Sequence, residues 1–403
     1  MSEFQASNFN KENGGVPNLV GKTELTSPYF FVPPSGDTAS RPANCAAGTL
    51  RFNTDFGTLE VYRGDEIGWH QIQRAEGQYL GGLGAANSDN SIDGTGTRGI
   101  FAGGYTPSAQ PNSAFNNTDV ITVDTLGNSV DFNNLSSNRA GCAGFGDRTR
   151  ALVAGGVGPL VSQYSTISNV IEFCTFSKQD DYTDFGDLTT PGGYGGSLAD
   201  KTRGVLMGGT YPYQNTIQFV TMQTTGNALD FGDLQQLNGY PGGCASSTRG
   251  FAVGGLRVSA PDTASYNTID VITIASTGNA TTFGEMQYGN YEHAIGSNSV
   301  RAIKAGGYGP NYASRIEFFN MASGGDTIRF GDLTGFNGTG KGGAASPTRF
   351  VLGGGYGTSP HFMNTIEFVQ IATTGNSKDF GDLAGFGRRV PNQLTNNSGG
   401  VSG

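Results

Sequence analysis

Arg98-Gly-Ile-Phe-Ala-Gly103-Gly104 is the stretch that decides the fold, because the chain repeats its pattern six times. Each copy has an arginine, three or four mostly apolar residues and a Gly-Gly pair. The other copies begin at Arg150, Arg203, Arg249, Arg301 and Arg349. Successive Gly-Gly pairs are 46 to 53 residues apart. A period near 50 residues, in which short apolar runs end at glycines, predicts a repeat protein.

The composition favours strands that are joined by turns. Glycine supplies 66 of the 403 residues, and no Gly-X-Y period accompanies it, which excludes a collagen-like protein. Apolar residues come in short runs between glycine, asparagine, threonine and serine, a pattern typical of many short strands and of almost no helix. We therefore expect an all-β protein.

Charge and hydropathy exclude two classes of partner. The formal net charge is -9, and the 24 lysines and arginines form no cluster, so we expect no nucleic-acid partner. No apolar run approaches the roughly 18 residues that a membrane span needs, so we expect none. The N-terminal sequence lacks the basic and apolar regions of a signal peptide, which predicts that the protein does not use the general secretion route.

Residues that usually carry catalysis or hold metals are sparse. His70, His293 and His361 lie far apart in the repeat pattern, and no Cys-x-x-C pair occurs. No Gly-x-Ser-x-Gly motif is present, and no pair of carboxylates stands apart from the repeating ones. The sequence therefore predicts no enzyme, no metal centre and no cofactor. A carbohydrate-active enzyme stays as an alternative, because its two acids need no sequence signature.

Each repeat has four parts. In one copy a short glycine-rich strand, Gly242-Gly-Cys-Ala-Ser246, precedes the strand that begins at Arg249. A variable loop then leads to an alternating strand at 267–275. The last strand carries Phe283-Gly-Glu-Met286, a variant of the more frequent Phe-Gly-Asp-Leu. Four such strands predict a four-stranded antiparallel sheet for each repeat.

This pattern resembles kelch-type propellers in its period and in its apolar runs that end at Gly-Gly. The usual tryptophan late in the blade is absent, and we expect the phenylalanine of Phe-Gly-Asp-Leu in its place. The resemblance implies a six-bladed kelch-like β-propeller of four-stranded antiparallel blades over residues 79–388. We expect residues 79–86 to supply the first glycine-rich strand and residues 389–403 to form a loose tail rich in Gly, Asn and Ser.

Two segments precede the repeats. Residues 1–45 predict either an extended arm that anchors the protein to a partner or a disordered tail. The anchoring residues would be the cluster Tyr29, Phe30, Phe31 and Val32. Residues 46–78 predict a small antiparallel β-hairpin unit with strands at 49–53, 58–62 and 69–72. One of its faces is expected to carry Leu50, Phe52, Leu59, Val61 and Trp69. So small a unit needs to pack on a partner or on the propeller.

One arginine and one acid recur in the repeats. We predict that they form ion pairs and act as a structural staple, since arginine suits bidentate pairing. A ring of guanidinium groups that binds an anion is the alternative. The arginines are Arg98, Arg150, Arg203, Arg249, Arg301 and Arg349. The acids are Asp187, Asp233, Glu285, Asp332 and Asp382, with Asn134 in the first copy.

The loops after the Gly-Gly pairs differ most between repeats. In a four-stranded blade they emerge on the same face as the connections between blades, so we predict one rim that gathers aromatic side chains. Such a rim suits sugars or proteins, and the alternative is that these residues only stiffen loops. The candidates are Tyr105, Phe115, Tyr211, Tyr213, Tyr308, Tyr312, Tyr356 and His361 from the loops, and Tyr194, Tyr240 and Tyr291 from the connections.

Residues 33–69 resemble a motif that is common in structural proteins of tailed phages. The matching pieces are Arg41-Pro42, 48–54, 59–62 and Trp69. With the Asn-Thr-Ile and Thr-Gly-Asn phrases of the repeats, the chain is similar to virion proteins of phages that infect marine cyanobacteria. The resemblance implies a place on the particle surface, synthesis in the host cytoplasm, and an N-terminal region that binds tail, baseplate or capsid proteins.

The sequence thus predicts a non-enzymatic phage virion protein. Its N-terminal segment would attach to the particle, and its propeller would face outward for adhesion to a host-surface glycan or protein, as a tail fibre or fibre-like component. Assembly into a homo-oligomer is left open. The first alternative is a capsid decoration protein that stabilises the shell, and the second is the carbohydrate-active propeller enzyme.

Overall fold

The computed structural model describes residues 33–42, 45–55, 58–64, 68–71, 97–106, 113–158, 166–176, 178–259, 262–309, 314–334, 338–357, 362–385, 387–389 and 394–395. The chain divides into two units, Met1–Arg74 and Ala75–Gly403. Regular structure in the described residues is all β, without a helix. None of these residues therefore belongs to a helix that is long and apolar enough to cross a bilayer. The predicted anchoring cluster, residues 29–32, lies outside the described residues.

The first unit contains a four-stranded sheet with its strands in chain order. The strands are β1 (Ser35–Gly36), β2 (Leu50–Asn53), β3 (Thr58–Tyr62) and β4 (Trp69–Gln71). The three strands predicted from the sequence correspond to β2, β3 and β4, which pair antiparallel, and β1 adds to β2 in parallel.

The two faces of this sheet differ in part from the expected ones. Leu50 and Leu59 lie on the predicted apolar face and are 45% and 39% exposed. The prediction for Trp69 is wrong, because this residue pairs with Tyr62 and therefore lies on the opposite face. Glu60 is buried on that second face, so the small sheet covers a charged group and leaves leucines exposed.

The second unit contains six sheets among its described residues. The first has β5 (Arg98–Ala102), β6 (Tyr105–Thr106), β7 (Ser113–Thr122) and β8 (Val130–Arg139). The second has β9 (Ala143–Gly146), β10 (Arg150–Ala154), β11 (Val170–Thr175) and β12 (Thr183–Asp187). The third has β13 (Gly196–Ala199), β14 (Arg203–Gly209), β15 (Gln214–Thr221) and β16 (Leu229–Asp233).

The remaining sheets repeat this order of strands. The fourth has β17 (Gly242–Ala245), β18 (Arg249–Ser259), β19 (Asp262–Thr273) and β20 (Thr281–Glu285). The fifth has β21 (Ala294–Ser297), β22 (Arg301–Ala305), β23 (Arg315–Asn320) and β24 (Ile328–Asp332). The sixth has β25 (Gly342–Ala345), β26 (Arg349–Gly353), β27 (Thr365–Gln370) and β28 (Lys378–Asp382). The second to sixth sheets are four-stranded and antiparallel, which confirms the strand pattern expected for a β-propeller-like fold.

The first sheet is completed by the other end of the chain. Strand β29 (Leu394–Thr395) pairs antiparallel with β5, where we expected residues 389–403 to be a loose tail. That prediction is wrong for these two residues, because the free edge of β5 offers main-chain groups that need partners. Residues 79–86, which we expected at this place, lie outside the described residues. The second to sixth sheets each begin with a short strand that we call the inner strand. The inner strands contact one another in the order β9, β13, β17, β21 and β25, and β29 contacts both β25 and β9.

Apolar side chains pack between neighbouring sheets. Leu152 and Phe185 of the second sheet, for example, share a buried cluster with Leu206 of the third. The sixth and first sheets pack in the same way, through Val351 and Phe101. The core is therefore a series of interfaces between sheets, which explains why each repeat needs its neighbours.

The recurring arginines join neighbouring sheets, although not through the predicted ion pairs. The guanidinium group of Arg203 donates to the carbonyl oxygen of Ile274 in the next sheet at 2.6 Å and lies 4.6 Å from the centre of the Phe219 ring. Equivalent hydrogen bonds join Arg98 to Phe176, Arg150 to Met222, Arg249 to Met321, Arg301 to Ile371 and Arg349 to Val123. No ion pair of the described residues joins these arginines to the repeated acids, because main-chain carbonyls take the guanidinium donors.

The acid positions also join sheets, but through their main chain. The N–H group of Asp233 donates to the side chain of Asn279 in the next sheet at 3.0 Å. The N–H group of Asp382 in the sixth sheet donates to Asn128 in the first, also at 3.0 Å. Equivalent bonds link Asn134 to Asp181, Asp187 to Asn227, Glu285 to Asp326 and Asp332 to Asn376. An asparagine or aspartate side chain of one repeat therefore binds the main chain of the last strand of the preceding repeat.

Candidate functional site

Five residues with left-handed backbone conformation lie at one end of the inner strands. Gly141, Tyr194, Tyr240, Glu292 and Gly340 each precede an inner strand by two positions, and their φ angles lie between 53° and 65°. We call them the axial residues. Side chains other than glycine adopt this conformation rarely, at a cost of about 1 kcal/mol or more each. Two tyrosines and a glutamate in such positions mark this end as a candidate functional site.

The two glycines among the axial residues leave room for large neighbours. A Cβ atom at Gly141 would lie 2.6 Å from the ring of Tyr194, and one at Gly340 would lie 2.8 Å from Nε of Arg389. Arg389 thus passes close to Gly340 and forms an ion pair with Glu292. A larger residue at either glycine would displace the side chain that now occupies this space.

Tyrosines from several repeats form a continuous series, which we call the first aromatic group. The ring centre of Tyr240 lies 4.8 Å from that of Tyr194 and 5.7 Å from that of Tyr291. Tyr308 extends the series, 5.2 Å from Tyr291. The hydroxyl groups of Tyr240 and Tyr211 are 3.4 Å apart. The rings meet at tilts of 45° to 49°, so they present both faces and edges.

A second aromatic group also lies close to Arg389. Phe362 packs edge to face against Tyr105 at 6.0 Å and against Tyr356 at 5.3 Å. The guanidinium group of Arg389 lies 6.0 Å from the Tyr356 ring centre. The main-chain N–H and carbonyl groups of Arg389 and Tyr105 bond to each other at 3.0 Å. Arg389 therefore connects the second aromatic group with Glu292.

Burial determines the protonation of these groups. The side chain of Glu292 is 8% exposed, and burial raises its pKa, while Arg389 opposes that rise. Burial also raises the pKa values of Tyr194 and Tyr240, and it raises that of Tyr291 to about 12. The three hydroxyl groups therefore stay protonated at neutral pH and are able to donate and to accept hydrogen bonds.

A cavity of about 50 Å³ lies beside the axial residues. Glycine main chain of β13, β17 and β25 forms part of its wall. The side chains that supply its polar groups are Tyr194, Ser197, Tyr240, Glu292, His293 and Lys341. A cavity of this size and polarity has room for water or for a small polar group of a ligand.

Two basic side chains in the cavity wall differ in their bonding. Nζ of Lys341 donates to the carbonyl oxygen of Gly354 at 3.0 Å and lies 3.3 Å from the Glu367 carboxylate. His293 is 7% exposed, and neither of its ring nitrogens has a partner in the part of the chain that the structure describes. Burial, and then the charge of Lys304, hold the pKa of His293 well below its usual range, so this ring is neutral at pH 7.

The structure gathers most of the predicted rim residues that it describes. Tyr194, Tyr211, Tyr240, Tyr291 and Tyr308 form the first aromatic group, and Tyr105 and Tyr356 belong to the second. Tyr213 lies against Gly239, next to Tyr240. Phe115 lies in β7, opposite Arg139, and has no ring contact with either group among the described residues. Tyr312 and His361 lie outside the described residues.

Sequence reasoning missed the charged pair at the centre of the site. Glu292 has the same repeat position as Tyr194 and Tyr240, so alignment of the repeats offered a signal for it. Arg389 fell in the segment that we expected to be a loose tail, and its partner is 97 residues away. Lys341 and Phe362 likewise lie outside the repeated motifs.

Comparisons with known proteins add no family to this picture. The chain matches no protein-family model, and it matches no curated protein. No group of three or more His, Cys, Asp or Glu side chains suited to a metal ion occurs within the described ranges. The site to be explained is therefore the pair of aromatic groups around the Glu292–Arg389 ion pair and its cavity.

Proposed function

We propose that the chain is a non-enzymatic virion protein, a six-bladed kelch-like β-propeller. The end that carries the axial residues, which we call the axial end, adheres to a host surface. The observation that carries the proposal is the convergence of both aromatic groups on Arg389 and Glu292. These side chains come from loops and connections, where the repeats differ, while the repeated motifs bind sheet to sheet. Tyrosine supplies large, amphipathic contact area at low entropic cost, which suits a surface that recognises a ligand.

Six blades in a closed ring are supported by the bonds between sheets. Arg349 of the sixth sheet donates to Val123 of the first, as each other arginine donates to the sheet that follows it. Asp382 and Asn128 repeat the second kind of link across the same boundary. The contacts of β29 with β25 and β9 agree with closure by the C-terminal strand.

Attachment to the particle is assigned to the N-terminal region. Its small sheet exposes Leu50 and Leu59 on one face, and apolar side chains that lie together on a small sheet suit a protein partner. The resemblance of residues 33–69 to structural proteins of tailed phages supports a virion protein as that partner. The same resemblance supports assembly in the host cytoplasm.

The test of adhesion uses the full chain, labelled with a fluorophore, in sedimentation with cyanobacterial host cells. We expect saturable binding that falls about tenfold when Tyr240→Ala or Tyr291→Ala removes a ring, since aromatic anchors dominate such surfaces. Leu229→Ala is the control, because Leu229 is exposed in β16, the last strand of the third sheet. This control is expected to bind cells like the wild type.

A comparison of binding to purified particles with binding to host cells distinguishes adhesion from capsid decoration. Protein that binds purified particles but no host cells would support the decoration alternative and refute adhesion. Deletion of residues 1–45 is expected to abolish incorporation into particles and to leave cell binding by the free protein intact. Normal incorporation of the deleted protein would refute the assignment of that segment as the anchor.

A further inference from the structure

The charged groups at the axial end are compensated within the protein. Arg389 pairs with Glu292, and Lys341 lies 3.3 Å from the carboxylate of Glu367. His293 is neutral, because burial disfavours its charged form. An anionic ligand would have to compete with Glu292 for Arg389, and a cationic one would have to compete with Arg389 for Glu292. Since the transfer of an uncompensated charge to a buried site is costly, the cavity disfavours ions.

Hydrogen-bonding capacity nevertheless stays unused there. Arg389 donates to one carboxylate oxygen of Glu292, and the other oxygen accepts no hydrogen bond from the described residues. The hydroxyl group of Tyr194 likewise has no partner among them, and that of Tyr240 meets only Tyr211. A carboxylate acceptor beside hydroxyl groups that both donate and accept matches the hydroxyl groups of a ligand.

The volume of the cavity and the arrangement of the tyrosine rings further restrict the class of ligand. About 50 Å³ admits a group of a few heavy atoms and is too small for a pyranose ring. The ring itself would therefore lie outside the cavity, where Tyr240 and Tyr291 offer tilted aromatic surfaces 5.7 Å apart. Aromatic faces pack well against the apolar C–H face of a sugar, while its hydroxyl groups point away.

We propose that the axial end binds the terminal sugar of a neutral glycan, with one hydroxyl or hydroxymethyl group in the cavity and the sugar ring against Tyr240 and Tyr291. The hydroxyl group donates to Glu292 and accepts from Tyr194. This inference rests on the proposed adhesive function and names its ligand class. A protein receptor is the competing outcome.

Saturation-transfer NMR with the full chain tests the proposal directly. The probes are the neutral methyl glycosides of glucose, galactose, mannose and N-acetylglucosamine, and the acidic methyl glucuronide. We expect at least one neutral probe to bind with a millimolar Kd and methyl glucuronide to bind about tenfold more weakly.

Glu292→Gln gives the sharpest signature, because it removes the acceptor charge and leaves Arg389 without its partner. Affinity for the neutral probe is expected to fall about tenfold, and affinity for methyl glucuronide to rise. Asp230→Asn is the matched control, since it removes the same charge from an exposed position in β16. Tyr194→Phe, which removes only a hydroxyl group, is a second variant should Glu292→Gln melt early.

Three results would overturn the proposal: no binding of any neutral probe, a preference of the wild type for methyl glucuronide, or unchanged affinity in both variants. Cell binding that survives Glu292→Gln and periodate treatment of the cells would indicate a protein receptor. That result would refute the glycan inference and leave adhesion standing. Neutral sugar binding without any cell binding would refute adhesion alone.

Discussion

Replacement of Lys304 by methionine is expected to stabilise the protein. Lys304 lies in β22 and is 2% exposed. Its side chain makes no hydrogen bond or ion pair with another described residue, and Glu317 lies opposite it in register. The other five copies of the repeat have an apolar residue at this place, namely Phe101, Val153, Leu206, Ala252 and Leu352.

The size of the effect follows from the pKa of Lys304. Burial lowers this pKa from 10.5 to about 8, although the charge of Glu317 opposes the change. The difference corresponds to about 3 kcal/mol against the ionised folded protein. Below pH 8 both the folded and unfolded states carry the proton, so the cost is fully present. It disappears as the pH rises from about 8 to 10.5, because the folded state releases the proton first.

Methionine removes this cost and preserves the partners of Glu317. The Glu317 carboxylate keeps Arg315 at 2.7 Å and the hydroxyl group of Thr327 at 3.1 Å. Because the lowered pKa already includes the attraction between Lys304 and Glu317, we expect a gain of about 3 kcal/mol at pH 7, or about 4 °C in Tm.

Thermal unfolding followed by circular dichroism at pH 7, 8, 9 and 10 measures this gain. The advantage of Lys304→Met is expected to be largest at pH 7 and to shrink towards pH 10. Lys178→Met, which removes an exposed charge, is the control and is expected to leave Tm unchanged. A lower Tm for Lys304→Met than for the wild type would refute the reasoning, since Lys304 would then contribute more by attraction than its burial costs.

Three further predictions concern other buried groups and the links between sheets. Burial lowers the pKa of His293, so the unfolding free energy is expected to fall as the pH drops below about 6.5, by at most about 1.4 kcal/mol per pH unit. His293→Met is expected to make Tm less dependent on pH between pH 7 and 5. The same pH dependence in this variant and in the wild type would contradict the prediction. Arg203→Gln is expected to lower the unfolding free energy by about 2 kcal/mol and Asp233→Asn to leave it nearly unchanged; equal losses in urea unfolding would instead favour an ion pair. Gly340→Ala is expected to lower Tm more than Gly385→Ala. The φ angle is positive at both glycines, but only at Gly340 would the new Cβ atom clash with Arg389. Equal changes in Tm would mean that the Arg389 side chain moves aside at no cost.

The strands were predictable from the sequence because their signals are local. Successive side chains of a strand point to opposite faces of the sheet, so apolar and polar residues alternate along it. The short apolar runs that end at Gly-Gly mark strands in the same local way. Grouping of the rim was predictable for a related reason: in a four-stranded antiparallel sheet the second loop and the connection to the next sheet share one end. Tyr194, Tyr240 and Tyr291 therefore met as expected.

Other features depend on main-chain groups or on distant residues, and side-chain patterns do not reveal them. Strand β29 has two residues, too few for any periodicity, and it pairs with β5 because that edge is free. The pairing of Arg203 with an acid looked reasonable from the repeat, yet the carbonyl oxygen of Ile274 takes the guanidinium donors. Every residue has such a carbonyl, so no residue type marks this acceptor.

Three of the five axial residues carry backbone strain that bears on the proposed function. Glycine occupies this left-handed position at Gly141 and Gly340 without strain, whereas Tyr194, Tyr240 and Glu292 adopt it at a cost of about 1 kcal/mol or more each. The links between sheets do not depend on those three side chains, because the copies with Gly141 and Gly340 make the same arginine and main-chain bonds to their neighbours. All three side chains line the cavity, and Glu292 pairs there with Arg389. Strain that the links between sheets do not need supports the proposal that a ligand binds there.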